Sequence, residues 1–173
     1  TQQSSSAASD VYKRQPKLYD IDKASLGYGY SLTSNSLQIA RAYSVFANEG
    51  VMIEPRILSG IKSERERVLS KSTASFILDS LRMTVLDGTA SNLKDEGIAI
   101  AGKTGTSEKY IEGVGYASEK YVSSFASIFP YNEPKFIMIV SIDEPDPNKY
   151  FGGDVSAPLV GKLSKFMKRL KYL

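Results

Sequence analysis

Between Ile98 and Ile142 three strand-like runs follow one another with short links, and this restricts the fold more than any other feature of the chain. Ile98 to Ser107 opens on the apolar Ile98-Ala99-Ile100-Ala101 and reads as a buried strand. Tyr121 to Phe129 and Phe136 to Ile142 read as the next two, joined by the turn Pro130-Tyr131-Asn132-Glu133. Strands in series with short links favour an antiparallel meander. The segment Glu108 to Glu119, with Gly113 and Gly115, reads as a polar hairpin tip.

Helical patterns flank these strands. Leu37, Ala40, Tyr43, Phe46 and Ala47 fall at helical spacing from about Ser34 to Glu49, and Gly50 supplies a stop. The hydroxyls of Thr33-Ser34-Asn35 stand where that helix needs an N-cap. Val51 to Ile61 reads as extended, interrupted by Pro55, with Arg67-Val68-Leu69 as a pairing partner. A second helix is predicted from about Ser72 to Leu86, capped by Ser70 or Ser72, with Phe76, Ile77, Leu81 and Val85 as its apolar stripe. A final helix is predicted from about Ala157 to Leu170. Its face of Leu159, Leu163, Phe166, Met167 and Leu170 is expected to pack on the sheet, with Lys162, Lys165, Lys168, Arg169 and Lys171 in water. The alternative is a basic amphipathic helix on an anionic membrane. The fold class is α/β of the α+β kind, an antiparallel sheet flanked by helices.

The 173 residues can bury a sizeable core. The net charge of +3 is mild and gives no nucleic-acid footprint. Histidine and cysteine are both absent, which excludes Ser-His-Asp and Cys-His catalysis, the usual zinc sites and internal disulfides. Acyl-transfer chemistry without histidine needs another base, and lysine is the known substitute. No stretch is long and apolar enough to span a membrane.

Chemistry concentrates in Gly102-Lys103-Thr104-Gly105-Thr106. Lys103 offers a fixed positive charge, and Gly105 lets a second molecule approach the backbone. Thr104 and Thr106 are read as facing opposite sides of the strand. The group suits an anionic, peptide-like ligand lying along a strand edge; the plainer reading is a strand end with a polar turn. Asp143-Glu144 has the form of paired carboxylates, but the prolines that follow make it a strand exit. Tyr150-Phe151-Gly152-Gly153 reads either as a flexible loop whose aromatics touch substrate or as a loop that covers the sheet end.

Further landmarks stand in order around that group: Gly27-Tyr28-Gly29-Tyr30, Leu37-Gln38-Ile39-Ala40-Arg41-Ala42-Tyr43, Gly88-Thr89-Ala90, Tyr121-Val122-Ser123-Ser124-Phe125-Ala126 and Ile142-Asp143-Glu144-Pro145. With them the chain, from about Leu26 to its C-terminus, resembles the C-terminal half of a class B penicillin-binding protein transpeptidase domain of the cell-division or elongation type. The resemblance implies a β-lactamase/transpeptidase-like fold, present here as an incomplete domain over residues 16–173. Thr1 to about Gln15 is expected to be disordered and a non-native artefact.

The implied function is peptidoglycan D,D-transpeptidation through an acyl-enzyme. Lys103 and Thr106 are the implied catalytic residues, Lys103 holding the field and helping a proton move, Thr106 giving a backbone N–H to the oxyanion. Thr104 and Thr106 hydroxyls would bind a carboxylate, Gly105 would admit the ligand, and Tyr150, Phe151, Gly152 and Gly153 would border it. The acylated serine of a Ser-x-x-Lys motif is expected upstream; Ser59-Gly60-Ile61-Lys62 has that spacing but stands in the wrong place and is read as a decoy. No metal or organic cofactor is implied. The implied partners are stem peptides, β-lactams, a membrane glycosyltransferase and division or elongation proteins, on the extracytoplasmic face of a bacterial membrane. The rival readings are a β-lactam-sensing or scaffolding domain without turnover, and a serine β-lactamase or D,D-carboxypeptidase. Sequence upstream of the chain discriminates among them.

Overall fold

The computed structural model describes residues 20, 24, 34–58, 60, 62–111, 113 and 115–173. The expectations for Thr1 to Gln15, for Gly27 to Tyr30, and for Ser59 and Ile61 lie outside these residues. The chain divides into two units, Thr1–Gln38 and Ile39–Leu173. In the first, Asn35 and Gln38 exchange hydrogen bonds, each backbone N–H donating to the other's side-chain oxygen at 3.1 and 2.9 Å. This is a capping box, so the cap is the Asn35 amide rather than a hydroxyl of the preceding residues.

Helix α1 (Ser36–Ala47) leads to a two-stranded antiparallel ribbon of β1 (Val51–Ile53) and β2 (Arg65–Arg67). Val51 pairs with Arg67, so β2 ends where the predicted partner strand begins. Gly50 joins α1 to β1 at φ +92°, and a Cβ there would strike the Leu69 carbonyl. Helix α2 (Lys71–Leu86) is capped by Ser70, whose Oγ accepts the Thr73 N–H at 3.1 Å. A short 3-10 turn at Ser91–Leu93 then leads into β3 (Ala101–Ile111), β4 (Gly115–Phe129) and β5 (Phe136–Asp143). They form an antiparallel meander in the order β3-β4-β5, as the serial spacing predicts. Helix α3 (Gly152–Arg169) closes the chain.

Side-chain alternation on the sheet divides the core into two clusters. Phe125 and Phe129 of β4 meet Val85, Ala90, Leu93, Ile98, Ile100, and Ala157 and Val160 of α3. Ile128 instead joins Ala101 and Leu81, with Tyr43, Phe46 and Ile77 packed around them. Burial pushes the Tyr43 hydroxyl pKa up to about 12. The fully buried serines of the sheet and α3 are all bonded: Ser127 Oγ donates to the Met138 carbonyl at 2.9 Å, Ser156 Oγ to Ser123 at 3.0 Å, and Ser164 Oγ to Gly161 at 3.0 Å.

Four expectations are corrected. Residues 98–100 are outside the ladder, although Ile100 is fully buried. Ala101 pairs with Ile128, so residues before it would face Phe129 and Pro130, and Pro130 has no N–H to extend the ladder; the Ala99 carbonyl takes the Tyr131 N–H instead, at 2.6 Å. The predicted polar tip is mostly strand: the ladder runs on to Ile111↔Gly115, with a slip between Glu108 and Tyr110. Backbone pairing carries this extension. On α2 the buried positions are Ala74, Leu81 and Val85, while Phe76 is 72% exposed. Phe76 is off that stripe, since five residues separate it from Leu81 and a turn takes 3.6.

The fourth correction concerns α3. It starts five residues before Ala157, and its buried face is Gly152, Gly153, Ser156, Ala157, Val160, Gly161 and Ser164. The large residues Leu159, Leu163, Phe166 and Leu170 remain exposed, Phe166 at 55%, and only Met167 of the predicted stripe reaches the core. Small residues let the helix axis come close to its neighbours: a Cβ on Gly152 would stand 2.5 Å from the Gly105 carbonyl of the sheet, and one on Gly161 2.8 Å from Leu93 Cδ2 of the 3-10 turn.

Phe125→Ala, which empties the space under Gly102, is expected to lower stability by about 3–5 kcal/mol in urea unfolding. Phe76→Ser is expected to stay within about 0.5 kcal/mol of the parent.

Candidate active site

β3 has β4 on one side only among the described residues, so one rail of its backbone polar groups lies on an open edge. Lys103, Thr104, Gly105 and Thr106 pair with Ala126, Phe125, Ser124 and Ser123 of β4. Lys103 is exposed, and its Nζ donates to the Thr104 carbonyl at 3.1 Å. Thr104 and Thr106 share one face, as period two requires of residues two apart, which corrects the reading that set them on opposite sides. That face meets the start of α3.

Two contacts fix these hydroxyls. Thr106 Oγ1 accepts the Gly152 N–H at 3.0 Å. Thr104 Oγ1 lies 2.7 Å from Thr89 Oγ1. A third contact ties the same segments together, with Asn92 Nδ2 donating to the Gly153 carbonyl at 2.8 Å. Thr89, Asn92, β3 and the first turn of α3 therefore form one connected polar cluster.

The glycines make that cluster possible. A Cβ on Gly152 would come within 2.5 Å of the Gly105 carbonyl, and one on Gly153 would overlap the Thr89 carbonyl. The space beside Gly105 is held by Ser124 Oγ, 2.5 Å from where a Cβ would stand. Gly152 and Gly153 are thus buried packing residues in a helical turn, and the expectation of a flexible Tyr150–Gly153 loop is corrected. With both Cβ atoms absent, the backbone of this turn reaches the sheet.

Tyr150 and Phe151 precede the helix as an aromatic group. Tyr150 stacks on Tyr121 with ring centroids 3.9 Å apart and planes 9° from parallel, and Phe151 lies 4.5 Å from Tyr150. The buried Ser123 hydroxyl donates to the Tyr150 carbonyl, and the Ser123 carbonyl accepts Ser156 Oγ. Desolvation, followed by the neighbouring Tyr150, raises the Tyr121 hydroxyl pKa above its ordinary value. Phe151 itself is exposed.

Farther along β3, Lys109 Nζ reaches both Asp143 oxygens, at 2.9 and 3.0 Å, and Glu144 at 2.8 Å. Lys120 adds a looser contact to Glu144 at 3.5 Å. Asp143 and Glu144 thus end β5 as partners of lysines. Among the described residues no group of three His, Cys, Asp or Glu is placed to hold a metal ion. No helix of these residues is long and apolar enough to cross a membrane.

Lys103, Thr104, Gly105, Thr106, Gly152 and Gly153 are brought together, with Tyr150 and Phe151 beside them. Thr89 and Asn92 carry no role in the sequence reading. Gly88-Thr89-Ala90 is visible there as a landmark after a helix end, but its contact with a strand fifteen residues on has no local signal.

Comparison with known proteins bears on the family and the fold. The penicillin binding protein transpeptidase domain family matches residues 2–165. A peptidoglycan D,D-transpeptidase FtsI of Buchnera aphidicola is 34% identical over 91% of the chain and 28% of its own length. An FtsI homolog of Mesostigma viride is 30% identical over 88% of the chain and 30% of its own length. The chain therefore spans under a third of these curated relatives. The apo transpeptidase domain of Burkholderia pseudomallei penicillin-binding protein 3 superposes with a TM-score of 0.78 at 31% identity, covering 92% of the chain and 50% of that domain. Penicillin-binding protein 3 of Mycobacterium tuberculosis, complexed with aztreonam, gives 0.74 at 27% identity over 86% of the chain and 38% of its own.

Lys109 first, through its hydrogen bond, and then its charge hold the Glu144 carboxyl below its ordinary 4.5. A depressed folded value means the pairing stabilises the fold above pH 4.5 and is lost as pH falls through the lower folded value. Carbon-detected NMR titration is expected to place the Glu144 midpoint below 4.5, and Lys109→Ala to return it upward.

Proposed function

The chain belongs to the penicillin binding protein transpeptidase domain family, and on that premise we propose that it forms the substrate-binding edge of a peptidoglycan D,D-transpeptidase. The observation that carries this reading is the open edge of β3, with Lys103 on one face of the strand and two hydroxyls held by Thr89 and Gly152 on the other. An extended stem peptide lies along that edge as an added strand, with its carboxylate toward Thr104 and Thr106. A β-lactam occupies the same place.

In the proposed reaction a serine Oγ attacks the penultimate D-Ala carbonyl. The peptide bond to the terminal D-Ala breaks, and D-Ala leaves with the proton. The acyl group then passes to an amine of a neighbouring stem peptide: the new amide forms as the serine ester bond breaks, and the amine's proton returns to the serine Oγ. The serine belongs to a Ser-x-x-Lys element outside the residues described here. Lys103 draws the anionic ligand and supports proton movement, and the Thr106 backbone N–H donates to the oxyanion, a type of contact worth roughly 3 kcal/mol per donor. Tyr150 and Phe151 border the ligand, while Gly152 and Gly153 set the backbone beside it. The reaction is placed on the extracytoplasmic face of the membrane, with a glycosyltransferase and division or elongation proteins as partners.

The test is the second-order rate of acylation by a fluorescent penicillin in the full-length protein that carries these residues. Lys103→Ala is expected to lower it about 10- to 100-fold, the range of a lost hydrogen bond to a charged group. Lys103→Arg is expected to fail as well, because a planar fork does not replace a compact ammonium. Circular dichroism is expected to stay parental, since Lys103 is exposed. Acylation of Lys103→Ala at the parental rate overturns the assignment.

A further inference from the structure

The two threonine hydroxyls of β3 are held in different ways. Thr106 Oγ1 accepts the Gly152 N–H, so its own proton is free to point elsewhere. Thr104 Oγ1 lies 2.7 Å from Thr89 Oγ1, and either of the two can donate. A ligand carboxylate offers acceptors only. Thr104 can bind it only by donating its proton, and its contact with Thr89 then survives only if Thr89 donates to Thr104.

We infer that Thr89 is a positioning residue that donates to Thr104 and so makes the Thr104 hydroxyl a donor toward the ligand carboxylate. This rests on the substrate-edge reading above. Paired with Thr106, it presents two hydroxyl donors on one strand face to the two oxygens of one carboxylate.

The surroundings of Thr89 fit a fixed part. Its neighbour Ala90 is fully buried, and the Ala90 N–H donates to the Thr84 carbonyl at 3.1 Å. The Thr89 carbonyl sits against the Cα of Gly153, where no side chain intervenes. Asn92, three residues on, holds the Gly153 carbonyl. The turn is thus fastened to α2 on one side and α3 on the other. The position of its Oγ1 is set before any ligand arrives, so little ordering remains to be done on binding.

The experiment uses the full-length protein, with a penicillin and its methyl ester as probes. The ester has the same ring but no anionic carboxylate. Thr89→Val is expected to slow acylation by the free acid about tenfold, the scale of one hydrogen bond to a charged group. The ester rate is expected to stay at the parental value, and Thr89→Ser, which keeps the hydroxyl, to restore the free-acid rate. An equal loss with both probes shows that Thr89 acts on the fold and overturns the inference, as does no loss with either. If the parent reacts with neither probe, the substrate-edge reading fails and takes this inference with it. If the parent reacts and the Thr89→Val free-acid rate is unchanged, only the inference falls.

Discussion

The contact between the first turn of α3 and the β3 backbone organises the rest of the site. Gly152 and Gly153 bring two adjacent residues without side chains against Gly105 and the Thr89 carbonyl. At that separation a helix N–H reaches Thr106 Oγ1, and the turn after α2 reaches Thr104. One methyl group at either glycine would push the helix outward by its own radius. The Thr106 hydroxyl would then lose the Gly152 N–H, and Asn92 its hold on the Gly153 carbonyl.

The same closeness sets the composition of α3. A helix drawn near the sheet has room beneath it only for glycine, serine and alanine with an occasional valine, and those residues line its buried face. Serine there carries a hydroxyl that must be satisfied, and each is bonded to a nearby carbonyl. The Ser156–Ser123–Tyr150 chain also ties β4 to the segment leading into the helix. Packing and site geometry therefore share atoms in this region.

How much of this was legible from residues alone depended on range. The meander followed from strand-like runs with short links, and α2 from its periodicity and serine cap. The Lys103–Thr106 group stood out because its residue types were unusual for a strand end. The misses arose where a distant partner decided the outcome. Hydrophobicity ranks Leu159 and Phe166 above Gly153 and Ser156, but fit against the sheet ranked them the other way. Residues 108–119 were polar enough to suggest a tip, yet Lys109 found Asp143 and Glu144 across the sheet and the ladder continued. Thr89 and Asn92 gave no local sign of their contacts, which exist only once three segments meet.

The exposure of Lys103 changes the balance of forces assigned to the site. Had it been buried, its field would have reached a ligand with little screening. In water, two unit charges 4 Å apart are worth about 1 kcal/mol. A hydrogen bond to a charged group contributes about 1.5–3 kcal/mol. If the proposed edge binds a carboxylate, each of its oriented hydroxyls contributes more than the bare charge of a solvated lysine does while the edge is open to solvent. The lysine gains on them only when a bound ligand displaces water, since lowering the effective dielectric to about 20 raises the Coulomb energy to about 4 kcal/mol at the same distance. In the proposed reading, hydroxyl geometry seats the anion, and the seated ligand then gives the charge of Lys103 its effect.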